Sequence, residues 1–406
     1  MEFLIMNFKS TLQAISIIGL MLISSVTLAT STVSSKLLSI EANEFKQSYS
    51  TIKVHSVILN EDREILVHLP DDYETSNKRY PVLYVLDGNR HLPHAVLTET
   101  ILQEESLMPQ SIIVAIKNNR GTRGRDLSAS RENFLRFIKD EVFSLITKQY
   151  RTSAHKTLFG HSMAGAFTMS VLASQPNMFD NYIAASPTIQ SNDYELIAQY
   201  QALDLTKTPS QISLYLTFGN EAAEGKIATE ALHKFLNLME KITDEKLLWR
   251  FHALPEQVHM TTPYLTLYAG LSFAFSDFKA PTYTGLADYR QRGELKGLKD
   301  YYAKRASKYL VSNEVPDETF VNLGFAIFDE GHKTEGLEIL KTTAKLYPDS
   351  FRALNALAQT YEDVKKTSRA LAVYKKAVLL AEKRSSRNLN FFKRHVERLQ
   401  QSNSTD

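Results

Sequence analysis

The chain has 406 residues, which is long for one compact core and favours two domains. Its 47 basic and 45 acidic residues give a formal net charge of +2 and are mixed along the sequence, which argues against a nucleic-acid or strongly anionic partner. The absence of cysteine excludes disulfides, thiolate metal sites, a cysteine nucleophile and lipid attachment through cysteine.

Residues 1–29 have the pattern of a secretory signal peptide. Lys9 precedes an apolar run over residues 14–23, and small residues follow around Ala29. An uncleaved membrane anchor is the alternative, because the apolar run approaches the ~18 residues that can span a bilayer. Both interpretations place the rest of the chain outside the cytoplasm, either periplasmic or secreted, and no membrane span is predicted in the mature chain.

Residues 44–279 predict an α/β domain with a mainly parallel sheet. The stretches 51–59 and 63–69 alternate apolar and polar side chains, which predicts a hairpin with one wet face. Continuous apolar runs further along predict parallel strands that helices cover on both sides. These runs lie at residues 81–87, 111–116, 182–186, 212–218 and 247–252. Helical spacing over 131–150 supplies the crossover into one more strand, which ends just before Ser162.

Residues 156–167 are read as a strand, a tight turn that carries Ser162, and a helix. Gly160 and Gly165 allow a sharp bend, as in a nucleophile elbow, although the usual G-x-S-x-G motif has glycine where this chain has Ala164. A serine at such a bend projects its hydroxyl from the carboxyl end of the sheet, beside the free amides of the next helix. The stretch therefore predicts a catalytic nucleophile.

A serine nucleophile needs a base that takes its proton and an acid that orients the base. Among the histidines after Ser162, only His259 falls in a loop just past the last predicted strand, so His259 is predicted to be the base. The acid should follow the preceding strand, where Glu221 and Glu224 are one helical turn apart. Glu221 is the preferred acid because it is nearer to the strand end, and Glu224 is the alternative.

The oxyanion hole is expected to use backbone N–H groups, from Met163 and from the turn at Gly88 and Asn89. No metal site is predicted: His91 and His94 are three residues apart, but no acidic residue completes a zinc pattern, and both are assigned to loop and helix surface. The sequence has no phosphate loop or dinucleotide fingerprint, so no cofactor is predicted either.

The pattern changes after a Pro-, Thr- and Gly-containing link at 280–285, and residues 286–400 are helical in every apolar repeat. The small and large positions of 320–343 recur over 354–377 at an offset of 34 residues, as in tetratricopeptide (TPR) repeats. Two units are few for such an array, so the helix at 298–311 is expected to pack beside them as a third layer. A small all-α TPR-like domain of this kind predicts a protein or peptide partner.

Several motifs occur in a known order between residues 54 and 278. They are found at 82–89, 131–138, 160–165, 185–187, 218–221 and in the loop with His259. Together they resemble the “Putative esterase” (esterase D-like) family of α/β hydrolases, which includes siderophore esterases, S-formylglutathione hydrolases, feruloyl esterases and mycolyltransferases. The resemblance implies the α/β-hydrolase fold, Ser162 as nucleophile, His259 as base and an acid after Phe218, with oxyanion donors at Met163 and the 88–89 turn.

The sequence therefore predicts an exported serine esterase that hydrolyses a small-molecule carboxylic ester through an acyl-enzyme. An acyltransferase on the same fold, in which an alcohol replaces water, is one alternative. A non-catalytic binding protein that recruits a partner through its helical domain is the other. The loops at 121–131 and 188–208 are expected to set substrate specificity.

Overall fold

The computed structural model describes residues 49–309 and 311–402. The predicted signal peptide at residues 1–29 lies outside these described residues. Within them, no helix combines the length and the apolar character that crossing a membrane requires.

Eight strands form one sheet in the order β1-β2-β4-β3-β5-β6-β7-β8. The strands are β1 Ser50–Ser56, β2 Glu61–His68, β3 Tyr80–Val85, β4 Ile112–Ile116, β5 Thr152–His161, β6 Asn181–Ala185, β7 Ile212–Phe218 and β8 Leu247–Ala253. β2 pairs antiparallel with β1 and with β4, and the remaining pairs are parallel. The predicted hairpin and the predicted parallel strands are thus confirmed.

Helices cover both faces of the sheet. They are α1 Gly88–Glu104, α2 Arg131–Arg136, α3 Phe143–Gln149, α4 Met163–Ser174, α5 Ser191–Gln201, α6 Glu221–Glu224, α7 Lys226–Met239 and α8 Thr262–Ala274, with π-helical turns at Arg125–Ala129 and Phe137–Val142. Val82 and Tyr84 of β3 belong to one buried cluster, whereas Leu83 and Val85 belong to the cluster on the opposite face. Because successive side chains of a strand point to opposite faces, a strand buried on both sides reads as a continuous apolar run.

In the described part of the chain after residue 285, seven further helices follow the sheet. They are α9 Leu286–Gln291, α10 Glu294–Tyr309, α11 Asp317–Asp329, α12 Lys333–Leu346, α13 Phe351–Asp363, α14 Thr367–Lys383 and α15 Leu389–Ser402. α11 and α13 begin 34 residues apart, and so do α12 and α14. The spacing that recurs in the sequence is therefore also the spacing of the helix starts.

Helix α10 packs at its two ends against different parts of the chain. Leu298 and Tyr302 share a buried cluster with Phe320 of α11, as expected for a third layer beside the helical pairs. Tyr309, at the other end, is buried with Phe275 and Phe278 in the cluster that lines one face of the sheet. The helix thus belongs to both cores, which the sequence pattern had not predicted.

Candidate active site

Ser162 lies at a sharp turn between β5 and α4. Its backbone has φ 62° and ψ −121°, a conformation that costs a non-glycine residue about 1–3 kcal/mol. The amide of Ser162 donates to the carbonyl of Ala185 at 2.8 Å, which fixes the turn to the neighbouring strand β6. The strained turn places the serine at the carboxyl end of the parallel sheet, where the nucleophile of a strand–turn–helix elbow belongs.

Ala164, which replaces the usual glycine of the motif, does not disturb this turn. It is fully buried within α4 and is not among the residues with positive φ, so its methyl group imposes no backbone strain. The close approach occurs instead at Gly160. A Cβ there would lie 2.2 Å from the carbonyl oxygen of Ala164 and 2.6 Å from Thr168 Oγ1.

Gly160→Ala is therefore expected to lower the free energy of unfolding by about 3 kcal/mol, because the clash is with backbone that cannot move without displacing the elbow. Gly165→Ala is the matched control. Its added Cβ would lie 3.1 Å from Ala185 O, a milder contact, and the higher helix propensity of alanine contributes about 1 kcal/mol in the opposite direction. The free energy of unfolding of this control should therefore stay close to that of the parent. Urea unfolding followed by circular dichroism measures both; equal midpoints for Gly160→Ala and the parent would contradict the tight elbow.

The side chain of His259 lies within hydrogen-bond distance of Ser162. His259 lies in the loop between β8 and α8, and its Nε2 is 2.9 Å from Ser162 Oγ. Its other ring nitrogen, Nδ1, is 2.6 Å from Glu224 Oε2. Serine, imidazole and carboxylate thus form one hydrogen-bonded chain, in which the carboxylate holds the proton on Nδ1 and leaves Nε2 free to accept the serine proton.

Glu224, not the preferred Glu221, is the carboxylate beside His259. The two lie at opposite ends of the one-turn helix α6; the Glu224 side chain is 5% exposed, whereas that of Glu221 is 58% exposed and is 3.0 Å from His233 Nε2. A Cβ at Gly219 would lie 2.8 Å from Glu224 Oε1, so the glycine leaves room for the carboxylate. The structure thus contradicts the prediction that Glu221 is the carboxylate beside the histidine. Proximity to the strand end does not determine which of the two carboxylates points toward His259.

The environment of Glu224 keeps it ionised. Burial works against the charged form, but hydrogen bonds from His259 and from Ser186 outweigh it and lower the pKa of the Glu224 carboxyl. A carboxylate that stays charged can balance the positive charge that His259 acquires when it takes a proton.

The predicted oxyanion donors lie at two helix starts. Met163 is the first residue of α4, and Gly88 and Asn89 open α1. Backbone N–H groups in the first turn of a helix have no partner within the helix, and they carry its positive dipole end. These three amides are therefore suited to receive a negative oxygen, and their role stays a prediction.

Asp87, which precedes these amides, takes part in an ion pair that sequence reasoning missed. It has a left-handed backbone at φ 52°, and Arg123 donates to its carboxylate through Nε at 2.8 Å and through Nη2 at 2.9 Å. The same Nη2 donates to the carbonyl of His161 at 3.3 Å. Arg123 thus ties the turn after β3 to His161, the residue before Ser162. The sequence identified Arg123 only as part of the loop at 121–131, which is expected to set substrate specificity.

Three further histidines, His91, His94 and His161, lie next to one another close to His259. His91 is fully buried and its Nδ1 is 2.9 Å from His94 Nε2, so the expectation that both lie on the surface is wrong for His91. Burial lowers the pKa of His91 to about 2 and the pKa values of His94 and His161 to about 4. Among residues 49–309 and 311–402, no three His, Asp or Glu side chains are grouped so that they could hold a metal ion.

A cavity of about 230 Å³ adjoins Met163, the residue after Ser162. Met163, Leu127, Thr188 and Leu196 are among the residues that line it. They come from α4 and from the two loop regions in which the sequence placed specificity, so this cavity is the candidate binding space for one side of an ester.

Comparison with known proteins agrees with this architecture. The profile of the family described as “Putative esterase” matches residues 56–262, about half of the chain. Ferri-bacillibactin esterase BesA of Bacillus subtilis (strain 168) is 28% identical over 171 residues, which covers 34% of this chain and 59% of that protein. Siderophore enterobactin esterase of Emericella nidulans is 26% identical over 159 residues, covering 31% of this chain and 52% of that protein. The matched stretch thus spans only between half and three fifths of each relative.

A solved structure shows the same fold. The IroE-like serine hydrolase from Shewanella oneidensis matches with a TM-score of 0.58 at 22% identity, over 74% of this chain and 100% of that one. The residues matched by the family profile run from the end of β1 to the first residue of α8 and include Ser162, Glu224 and His259. The chain therefore belongs to the “Putative esterase” family.

Proposed function

We propose that the protein is a serine esterase whose catalytic triad is Ser162, His259 and Glu224. The observation that carries the proposal is the unbroken chain of short contacts, 2.9 Å from serine to histidine and 2.6 Å from histidine to glutamate, at a strained turn of the sheet. A non-catalytic binding protein has no need for such strain, so this chain of contacts favours catalysis over binding.

In the proposed reaction, Ser162 Oγ attacks the ester carbonyl carbon and His259 Nε2 takes the hydroxyl proton. The carbonyl oxygen becomes an oxyanion that the amides of Met163 and of the Gly88–Asn89 turn stabilise. His259 then gives the proton to the leaving alcohol oxygen, and the C–O bond breaks to leave an acyl-enzyme. Water attacks the acyl group, transfers one proton to His259, and the serine hydroxyl is restored as the acid departs.

The substrate is proposed to be a small-molecule ester. The two relatives described above are named as esterases of siderophores, so a siderophore ester is the first natural substrate to assay beside short-chain p-nitrophenyl esters. Adding an alcohol as competing acceptor distinguishes hydrolysis from acyl transfer, because an acyltransferase yields a new ester and a hydrolase yields free acid.

Covalent labelling tests the nucleophile directly. A fluorophosphonate is expected to modify Ser162 in the folded protein, since the phosphorus takes the place of the ester carbonyl carbon, and peptide mapping locates the adduct. The urea-unfolded protein is the control and should not react. A folded, monodisperse protein that takes no label at Ser162 would favour the binding alternative.

We further propose that residues 1–29 direct export to the periplasm or medium, and that the carboxyl-terminal helices form a TPR-like domain that binds a protein or peptide. The 34-residue spacing of helix starts supports the repeat assignment. Fractionation of cells that produce the full chain, with mass spectrometry of the mature amino terminus, tests the export proposal.

A further inference from the structure

His161, the residue before the nucleophile, contacts the loop that carries the base. Its Nε2 is 2.8 Å from the backbone carbonyl oxygen of His259. A carbonyl only accepts hydrogen bonds, so Nε2 must carry the imidazole proton and donate it. The same carbonyl receives a second hydrogen bond from Thr262 Oγ1 at 3.0 Å.

His161 is itself held firmly. It is 2% exposed, and the ring of His91 stands almost perpendicular to it at 5.7 Å between centroids. Its backbone carbonyl accepts the hydrogen bond from Arg123 described above. One residue therefore connects three parts of the site: the nucleophile through a peptide bond, the Asp87 turn through Arg123, and the base through its ring.

The charge state of His161 suits this position. Its ring centroid is 4.8 Å from that of His259, which becomes positive in the proposed reaction. Its other titratable or charged neighbours are His91, His94, Asp87 and Arg123. Burial lowers the pKa of His161 to about 4, so at neutral pH it is an uncharged donor that does not oppose the charge on His259.

We propose that His161 is a positioning residue for the catalytic base, which holds the backbone of His259 where its ring reaches both Ser162 and Glu224. This inference rests on the proposed function and deepens it. His161 acts through His259 and does not contact the substrate. Misplacing a reacting group by about 1 Å can cost on the order of 100-fold in rate, so a hydrogen bond at this point has a measurable effect.

Two isosteric substitutions test the proposal in the full-length protein. The side-chain amide nitrogen of glutamine reaches the position of imidazole Nε2, whereas that of asparagine reaches only the position of Nδ1. His161→Gln should therefore keep kcat within about fivefold of the parent, and His161→Asn should lower it by roughly 30- to 100-fold with KM within about twofold. Hydrolysis of p-nitrophenyl butyrate measures both constants, and thermal unfolding confirms that each variant is folded.

The outcomes separate this inference from the proposed function. An inactive Ser162→Ala variant supports the proposed function. If His161→Asn then keeps the parental kcat, or if both His161 variants lose equal activity, the positioning role is overturned. If Ser162→Ala is as active as the parent, the proposed function itself fails. ¹⁵N NMR of the unmodified protein provides a test that needs no variant to fold: the proton of His161 should be on Nε2, and the Nδ1 tautomer would overturn the proposal.

Discussion

Ser162→Ala and His259→Ala are each expected to lower kcat/KM for a p-nitrophenyl ester by about 10⁴-fold or more, because each removes a group without which the acyl-enzyme cannot form. In the proposed mechanism both groups act in one step, and the 2.9 Å contact between Ser162 Oγ and His259 Nε2 supports this. Steady-state assays of p-nitrophenol release by purified protein lacking residues 1–29 measure the loss of kcat/KM. Circular dichroism checks that each variant keeps the fold.

The double variant sharpens this prediction. The rate losses from removing two groups that act in one step do not add. The kcat/KM of Ser162→Ala/His259→Ala should therefore lie within about threefold of that of either single variant. His233→Ala, which changes a histidine paired with Glu221, is a suitable control and should keep the parental rate. Multiplicative losses in the double variant would show that Ser162 and His259 do not form one catalytic unit.

Glu224→Ala is expected to lower kcat by about 10³- to 10⁴-fold, since the buried carboxylate fixes the His259 tautomer and balances its charge. Glu221→Ala is the matched control, three residues away on the same short helix, and should stay within about twofold of the parent. Steady-state kinetics of the two purified variants provide the comparison.

The structural reason for the expected contrast is exposure. The Glu221 side chain is 58% exposed and pairs with His233, so we expect its loss to have little effect on rate or stability. The Glu224 side chain is 5% exposed, and its Oε2 lies 2.6 Å from His259 Nδ1. A large rate loss in Glu221→Ala with a small one in Glu224→Ala would reverse the assignment of the acid.

The strands and the order of the site residues could be predicted because their signals are local. A strand buried on both faces must be continuously apolar, and Gly160, Ser162 and Gly165 stand within six residues of one another. His259 was identified by its place in chain order, in a loop after the last strand. None of these inferences needed a long-range distance.

Identifying the acid did require information about distances in the folded chain. Glu221 and Glu224 have the same chemistry and nearly the same position in the sequence, and the selection between them depends on how Asn220 caps α6 and how closely Gly219 approaches the Glu224 carboxylate. These are properties of backbone conformation in a short loop, where periodicity carries no information.

The sequence by itself determined the α/β class of the fold and the 34-residue spacing of the carboxyl-terminal helices, and it predicted Ser162 as nucleophile and His259 as base, because each signal lies in residues close together or in a repeating pattern. Only the tertiary structure decided that Glu224 faces His259, that Arg123 joins Asp87 to the carbonyl of His161 and that the His161 ring contacts the backbone carbonyl of His259. His161 and His259 are 98 positions apart in the chain, and Arg123 and His161 are 38 apart. Contacts of this kind exist only once the strands of the sheet are side by side.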